Sequence, residues 1–472
     1  FLHGLYDGGH GAGLKDYWDM MMANPRCAGG FLWDLMDQGV VRTDKNNYVD
    51  CMGNFGADGI VGPHAEKEGS YYTIKEVWCP VQLTWNDVEK GELTLSNQYN
   101  FVNLKDCRFS YRLLQMPAMG STQVKVLKQG NLSSPDVAPG KEAQVKIPMM
   151  ANADAVEIKA VNHEGEEIMT WSRGVKSEER RVKNSSAPST SSAAYADQAD
   201  AVEVKAGGRT YRFAKKDGRL MGVEVGSKAI SLSNGPRFMA ARRSDRSLDQ
   251  FYNHDDKEAE KKKTLYTEFV DQGAFAGFEW KEAEAKLVAT YQHGSLDEVD
   301  WQFLSDGSVA VTCHYNFGGV VDMMGMAFDY PESKVRSKAW VGNGPYRVWQ
   351  NREQGPQYGY WQNDYNDPIP AESWDYPEFK GYFANVKWMQ FKTDEGKIGF
   401  SGLTADEHMG VYTPRDGRDG LLYTLPQTGL AVFKVIPSVR NKVNTTDLNG
   451  PSAQPKWLNG KGKVEFTLNF EL

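Results

Sequence analysis

Gly29-Gly30-Phe31-Leu32-Trp33-Asp34-Leu35-Met36-Asp37-Gln38 is a short apolar run that ends on a tryptophan and meets two acids three residues apart. Its length and its glycine entry predict a short buried strand over Gly30–Trp33 that opens into a polar loop. A tryptophan at a strand's end, followed by acids at i and i+3, fits the C-terminal mouth of an α/β barrel. The plainer reading has Trp33 packed and Asp34 and Asp37 capping loop amides. Upstream, Leu14–Asn24 (LKDYWDMMMAN) has helical spacing, and Asn24-Pro25 should end that helix. Downstream, Ser70–Trp78 (SYYTIKEVW) reads as a second helix with Ser70 as its N-cap. Helix, strand, loop, helix is an α/β rhythm, but residues 1–78 are too few to close such a sheet. The piece therefore calls for a partner upstream in the same polypeptide.

From about Pro80 the pattern changes to short alternating strands: Glu92–Tyr99, Cys107–Leu114, Ala143–Ile147 and Ala155–Val161. Turn residues every eight to twelve positions predict a small β-sandwich from there to about Val175. Residues 176–198 are charged, then rich in Ser and Ala, and read as a connector; Arg180-Arg181 within it is a solvated pair before it is a docking patch. Residues 199–472 are nearly all strand and turn without a fixed repeat, which predicts a large two-sheet sandwich and disfavours a propeller.

Bulk composition narrows the function. The chain has 472 residues, a formal net charge of −8, 13 Trp, 22 Tyr and 21 Phe. That length predicts about three domains. The charge argues against nucleic-acid binding, and no apolar run reaches the roughly 18 residues of a membrane span. Cys27, Cys51, Cys79, Cys107 and Cys313 are odd in number and lack CxxC spacing, so free, buried thiols are expected; a Cys27–Cys51 or Cys79–Cys107 bridge is the alternative. Phe1 is expected to be a processed or truncated start.

Two more strings carry candidate chemistry. FLHGLYDGGHGAGL (1–14) is glycine-rich but lacks the G-K-[ST] of a phosphate loop. His3, Asp7 and His10 could form a metal triad, against a tight turn with a structural histidine or a loop whose glycines let backbone approach a ligand. Asn54–Val61 (NFGADGIV) is a polar turn holding one acid, Asp58.

In this order and spacing the strings resemble the last stretch of the (β/α)8 barrel in β-galactosidase-like members of glycoside hydrolase family 2. There a catalytic Glu is followed by a His, a Gly-rich segment, a helix ending near "YW", and G-G-F-x-W-D-x-x-D-Q. Val341-Gly342-Asn343-Gly344-Pro345 with Arg352, and Tyr376-Pro377, are similar to motifs of the family's terminal domain. The resemblance implies the C-terminal end of a TIM barrel (1–78), an immunoglobulin-like β-sandwich (79–175), a linker (176–198) and a large C-terminal β-sandwich, or supersandwich (199–472). It implies that His3 contacts sugar hydroxyls, that Trp33 is the platform under the sugar ring, and that Asp34 frames the pocket. Asp58 stands where galactosidases usually carry Asn, and would hold a hydroxyl directly or through a sodium or magnesium ion. Tyr346–Arg352 (YRVWQNR) and Gly62–Gly69 depart from the family pattern, as does His3–Gly8. Trp374 and Trp457 are the candidates for the tryptophan that reaches the aglycone side.

The function so implied is an exo-acting, retaining β-glycosidase, first of all a β-galactosidase, acting on terminal sugars of oligo- or polysaccharides. The nucleophile is expected just before Phe1 and the acid/base further upstream, so the chain alone should be inactive. The alternative is a non-catalytic carbohydrate-binding or scaffold protein; a metal-dependent hydrolase using His3, Asp7 and His10 is third. A carbohydrate partner, assembly into homo-oligomers, and a periplasmic or secreted location follow from the family, not from any residue.

Overall fold

The computed structural model describes residues 2–3, 11–50, 56, 59–67, 69–175, 193–243, 266–269, 273–364, 381–412, 426, 428–439 and 450–472. Strand β1 (Leu2–His3) pairs in parallel with β2 (Leu32–Trp33), His3 opposite Trp33, and helix α1 (Leu14–Ala23) lies between them in sequence. That is a β-α-β step. Asn24 ends α1 in an extended conformation, its N–H bonded to the Met21 carbonyl, as Asn-Pro predicts. A small antiparallel ribbon, β3 (Val40–Arg42) and β4 (Tyr48–Asp50), follows. Helix α2 (Gly69–Val77) then packs on α1 through Leu14, Ile74 and Val77, with Trp18 and Trp78 at 5.7 Å.

Two expectations for this region need correction. The strand is shorter than Gly30–Trp33, and it is not buried: Phe31 is 80% exposed and Trp33 42%. A parallel pair of two-residue strands cannot cover its own faces. Helix α2 starts at Gly69, so Ser70 lies inside the first turn, fully buried, and is not the N-cap.

Beyond α2 the structure is sheet. Three strands ordered 81–87, 92–97, 142–146 face four ordered 167–174, 155–161, 108–115, 125–132. Their shared core holds Val81, Leu93 and Leu95 from one sheet and Phe109, Ile158 and Trp171 from the other. The alternation that predicted these strands places every second side chain in that core. Further on, a ten-stranded and a nine-stranded sheet enclose one large core containing Tyr211, Phe238, Trp301, Phe328 and Phe400. The longest pairing in it joins Val309–Val321 to Lys456–Glu471.

The expected connector over 176–198 is shortened at its C-terminal end. Ala194–Asp197 is an edge strand on Ala201–Ala206, and Tyr195 stacks on Trp280 at 5.6 Å. Its Ala-rich composition hid this, because the tertiary partner decides the strand. Residues 176–192, Arg180 and Arg181 among them, lie outside the described residues. Cys79, Cys107 and Cys313 are free and buried, so no Cys79–Cys107 bridge forms; Cys27 is free but exposed, and Cys51 lies outside the described residues. Burial pushes the Cys79 thiol up to about 11, leaving it inert at neutral pH. Among the described residues, no helix is long and apolar enough to cross a membrane.

Candidate functional site

The motif Trp33–Gln38 and the turn Gly59–Val61, far apart in sequence, are laced together. The Ile60 and Val61 amides donate to the Asp34 and Leu35 carbonyls at 3.0 and 3.1 Å, and the Asp37 amide donates to the Val61 carbonyl at 3.0 Å. Asp37, only 7% exposed, accepts the Gly59 N–H on Oδ1 at 2.7 Å. A Cβ on Gly59 would collide with the Asp37 nitrogen and the Val61 carbonyl, so only glycine lets the two segments close. The Asp37 half of the plainer sequence reading holds: it caps a loop amide. It is also the brace that sets one edge of the site.

Asp34 behaves differently. Gln38 donates to its Oδ2 at 2.9 Å, while Oδ1 is shielded from solvent and has no hydrogen-bond partner among the described residues. The peptide bond between Trp33 and Asp34 is cis. Trp33 presents its indole at the end of β2, so an exposed apolar ring and a carboxylate stand side by side. That combination suits a ligand with an apolar face and hydroxyl edges. The structure thus brings Trp33, Asp34 and the Gly59–Val61 turn together. His3 is placed only by its backbone pairing with Trp33. Asp58, Asp7, His10, Trp374 and Tyr376-Pro377 lie outside the described residues.

The terminal-domain motif forms a joint. The Asn343 amide donates to the Ala384 carbonyl at 2.9 Å, and Trp361 donates its indole N–H to the Gly342 carbonyl at 3.1 Å. Arg352, 3% exposed, runs beneath Gly11, where a Cβ would sit 2.9 Å from its Cγ and Cδ atoms and 2.7 Å from Thr73. The Gly13 amide donates to the Asn351 carbonyl at 2.9 Å, the Thr73 hydroxyl to the Gln354 carbonyl at 2.9 Å, and Asp16 accepts both the amide and hydroxyl of Ser452 at 2.8 and 2.6 Å. These residues hold the α/β unit against the large sandwich. Residue spacing carries no sign of this, since the contacts of Gly11, Gly13, Asp16 and Thr73 each span hundreds of positions. Trp457 is 70% exposed on the strand opposite Val320, and no described residue ties it to Trp33.

For a metal, one grouping qualifies by distance among the described residues: Glu298, Asp300 and His314 bring ligand atoms within 4.8 Å of one another. They sit on adjacent strands of the nine-stranded sheet, Glu298 directly opposite His314. Lys286 already approaches Asp300 at 3.4 Å, and the group shares no residue with the Trp33 site.

Comparison with known proteins agrees with this architecture. The family models described as "Beta-galactosidase, domain 4" and "Beta galactosidase small chain" match residues 93–171 and 205–432. A β-galactosidase of Oenococcus oeni is 19% identical over 491 aligned residues, covering 94% of this chain and 46% of its own length. One from Pectobacterium atrosepticum is 30% identical over 100 residues, 19% of this chain and 10% of that one. The chain thus spans less than half the length of these relatives. Among solved structures, an exo-chitosanase from Amycolatopsis orientalis is 11% identical and covers 54% of this chain and 28% of its own, at a TM-score of 0.19, too loose to bear on the fold. The two family models fall on the two sandwiches, and the Oenococcus oeni alignment runs through both: the chain belongs to the β-galactosidase-like members of glycoside hydrolase family 2.

Proposed function

We propose that this chain supplies the sugar-holding wall of an exo-acting, retaining β-glycosidase whose foremost substrates are β-galactosides. The observation that carries the reading is the half-exposed Trp33 indole beside the Asp34 carboxylate, braced through Asp37 and Gly59. Retention needs two carboxylates about 5 Å apart, one attacking the anomeric carbon and one protonating the leaving oxygen. In this proposal both come from polypeptide beyond this chain, as does the rest of the barrel ending in residues 1–78. Trp33 stacks on the apolar face of the terminal sugar, His3 and Asp34 hydrogen-bond its hydroxyls, and Asp58 does so directly or through a sodium or magnesium ion. Such bonds tighten as oxocarbenium character develops and lower the barrier by several kcal/mol. A partition into 1–78, 79–175, a connector and a large sandwich that includes Ala194–Asp197, a periplasmic or secreted site of action, and self-association belong to the same proposal.

The test is hydrolysis of a panel of chromogenic β-glycosides by this chain and by a protein extended upstream. Activity confined to the extended protein, with a β-galactoside preferred, is the expected result. Sugar binding by both with hydrolysis by neither would instead make this a non-catalytic carbohydrate-binding protein.

A further inference from the structure

Helix α2 and the two sandwiches meet around a cavity of about 650 Å³ that shares no residue with the Trp33 group. The helix contributes Glu76, the small sandwich Trp85 and Arg173, and the large sandwich Glu353, Gln354 and Lys456. Glu76 is engaged, accepting the Gly355 N–H at 2.6 Å. The side chains of Arg173, Glu353, Gln354 and Lys456 are not: none makes a hydrogen bond or ion pair with any described residue. Arg173 and Lys456 stand near enough to favour the Glu353 carboxylate, but withdrawal of solvent outweighs them and holds that carboxyl above its ordinary value.

Arg173, Glu353 and Lys456 are exposed and Gln354 half-buried, so water satisfies them and a ligand can take its place without breaking a protein contact. Here two cations, a carboxyl and an amide surround a half-buried indole and leave their hydrogen-bonding capacity facing the cavity. Vicinal hydroxyls match such a lining, since they donate to a carboxyl while accepting from a guanidinium or ammonium group. A pyranose also has an apolar face for Trp85. The volume falls within the range of roughly 300–1,000 Å³ found for small-ligand sites.

We propose that this three-way recess is a second carbohydrate-binding site that takes a short saccharide, held by Glu353, Arg173, Lys456 and Gln354 against Trp85. It does not depend on the Trp33 reading. The experiment is calorimetric titration of the chain with lactose, cellobiose and a galactotriose, repeated on Trp33→Ala, Glu353→Ala and Lys456→Ala. The expected result is binding of at least one saccharide that persists in Trp33→Ala and weakens at least tenfold in Glu353→Ala, with an unchanged near-UV circular dichroism spectrum. Lys456→Ala, at the exposed rim, gives the same readout should Glu353→Ala fail to fold. No binding by the parent chain would overturn the proposal. So would binding abolished in Trp33→Ala and intact in both recess variants, a pattern that would leave the Trp33 reading standing.

Discussion

In the large sandwich Trp301, Trp340, Phe238 and Phe303 are 0% exposed, whereas in the α/β unit Phe31, Leu35 and Val40 are 80, 70 and 63% exposed. The same residue types thus do opposite things at the two ends of one chain. Burial of large side chains is the main source of stability, so the sandwich holds itself. Among the described residues the α/β unit's own core is a small cluster around Leu14, Ile74 and Val77, and its position rests on hydrogen bonds with Asn351, Gln354 and Ser452. None of those contacts involves Trp33 or Asp34. The lesson is a division of labour: the sandwich supplies rigidity, and the unit it carries keeps its ligand-facing side open.

This contrast can be broken most directly with two tryptophans. Trp301→Ala removes a fully buried indole packed on Phe213 at 4.8 Å and should cost about 3–5 kcal/mol in urea unfolding. Trp33→Ala should leave the unfolding free energy within about 0.5 kcal/mol, as expected for an exposed position. In the extended, hydrolysing protein it should lower kcat/KM by roughly 100-fold, or about 2.7 kcal/mol of transition-state binding. An unchanged rate would remove Trp33 from the site, and a large loss of stability would show that its exposure misrepresents its packing. Gly59→Ala comes next. It should reduce the same kcat/KM by roughly tenfold by prising the turn from Asp37, while the sandwich unfolds as before.

How far the sequence foretold this contrast depends on whether the determining contact was local. Helix α1 was legible to within one residue because its spacing and the Asn24-Pro25 stop are local. The strands 92–97, 108–115 and 155–161 followed from alternation between turns. Ala194–Asp197 was lost although its partner Ala201–Ala206 is adjacent, because an Ala-rich segment has little strand preference of its own. The exposure of Phe31 and Trp33 was misread because an apolar run looks buried whether or not its neighbours cover it. The resemblance implied one pocket holding His3, Trp33, Asp34 and Asp58, while the bonds that tie Asp37 and its neighbours to Gly59–Val61 were not readable from motif order. The joint at Arg352 and the recess at Glu353 left no trace, since polar residues brought together from three sheets and a helix have no periodicity.

Smaller effects sharpen the division. Asp16→Ala removes two hydrogen bonds to Ser452 and should destabilise the α/β unit's attachment by roughly 1–2 kcal/mol, read as faster proteolysis within Leu14–Ala23 while the sandwich stays protected. The smallest expected effect lies in the sandwich and turns on pH. Burial of His408 holds its imidazole down to about 4, with the charge of Asp406 opposing, against an ordinary value near 6.5. A depressed value means that the unfolded chain takes up the proton first. The stability so linked is complete above about pH 6.5 and is lost as pH falls through about 4. His408→Gln cannot titrate, so its melting temperature should fall less than the parent's between pH 7 and pH 4.5, by roughly 2 °C. Equal slopes would mean that His408 is protonated at no cost in the fold. A difference appearing instead above pH 7 would have the wrong sign for a buried, neutral imidazole, and would place a different group in control of the sandwich's response to acid.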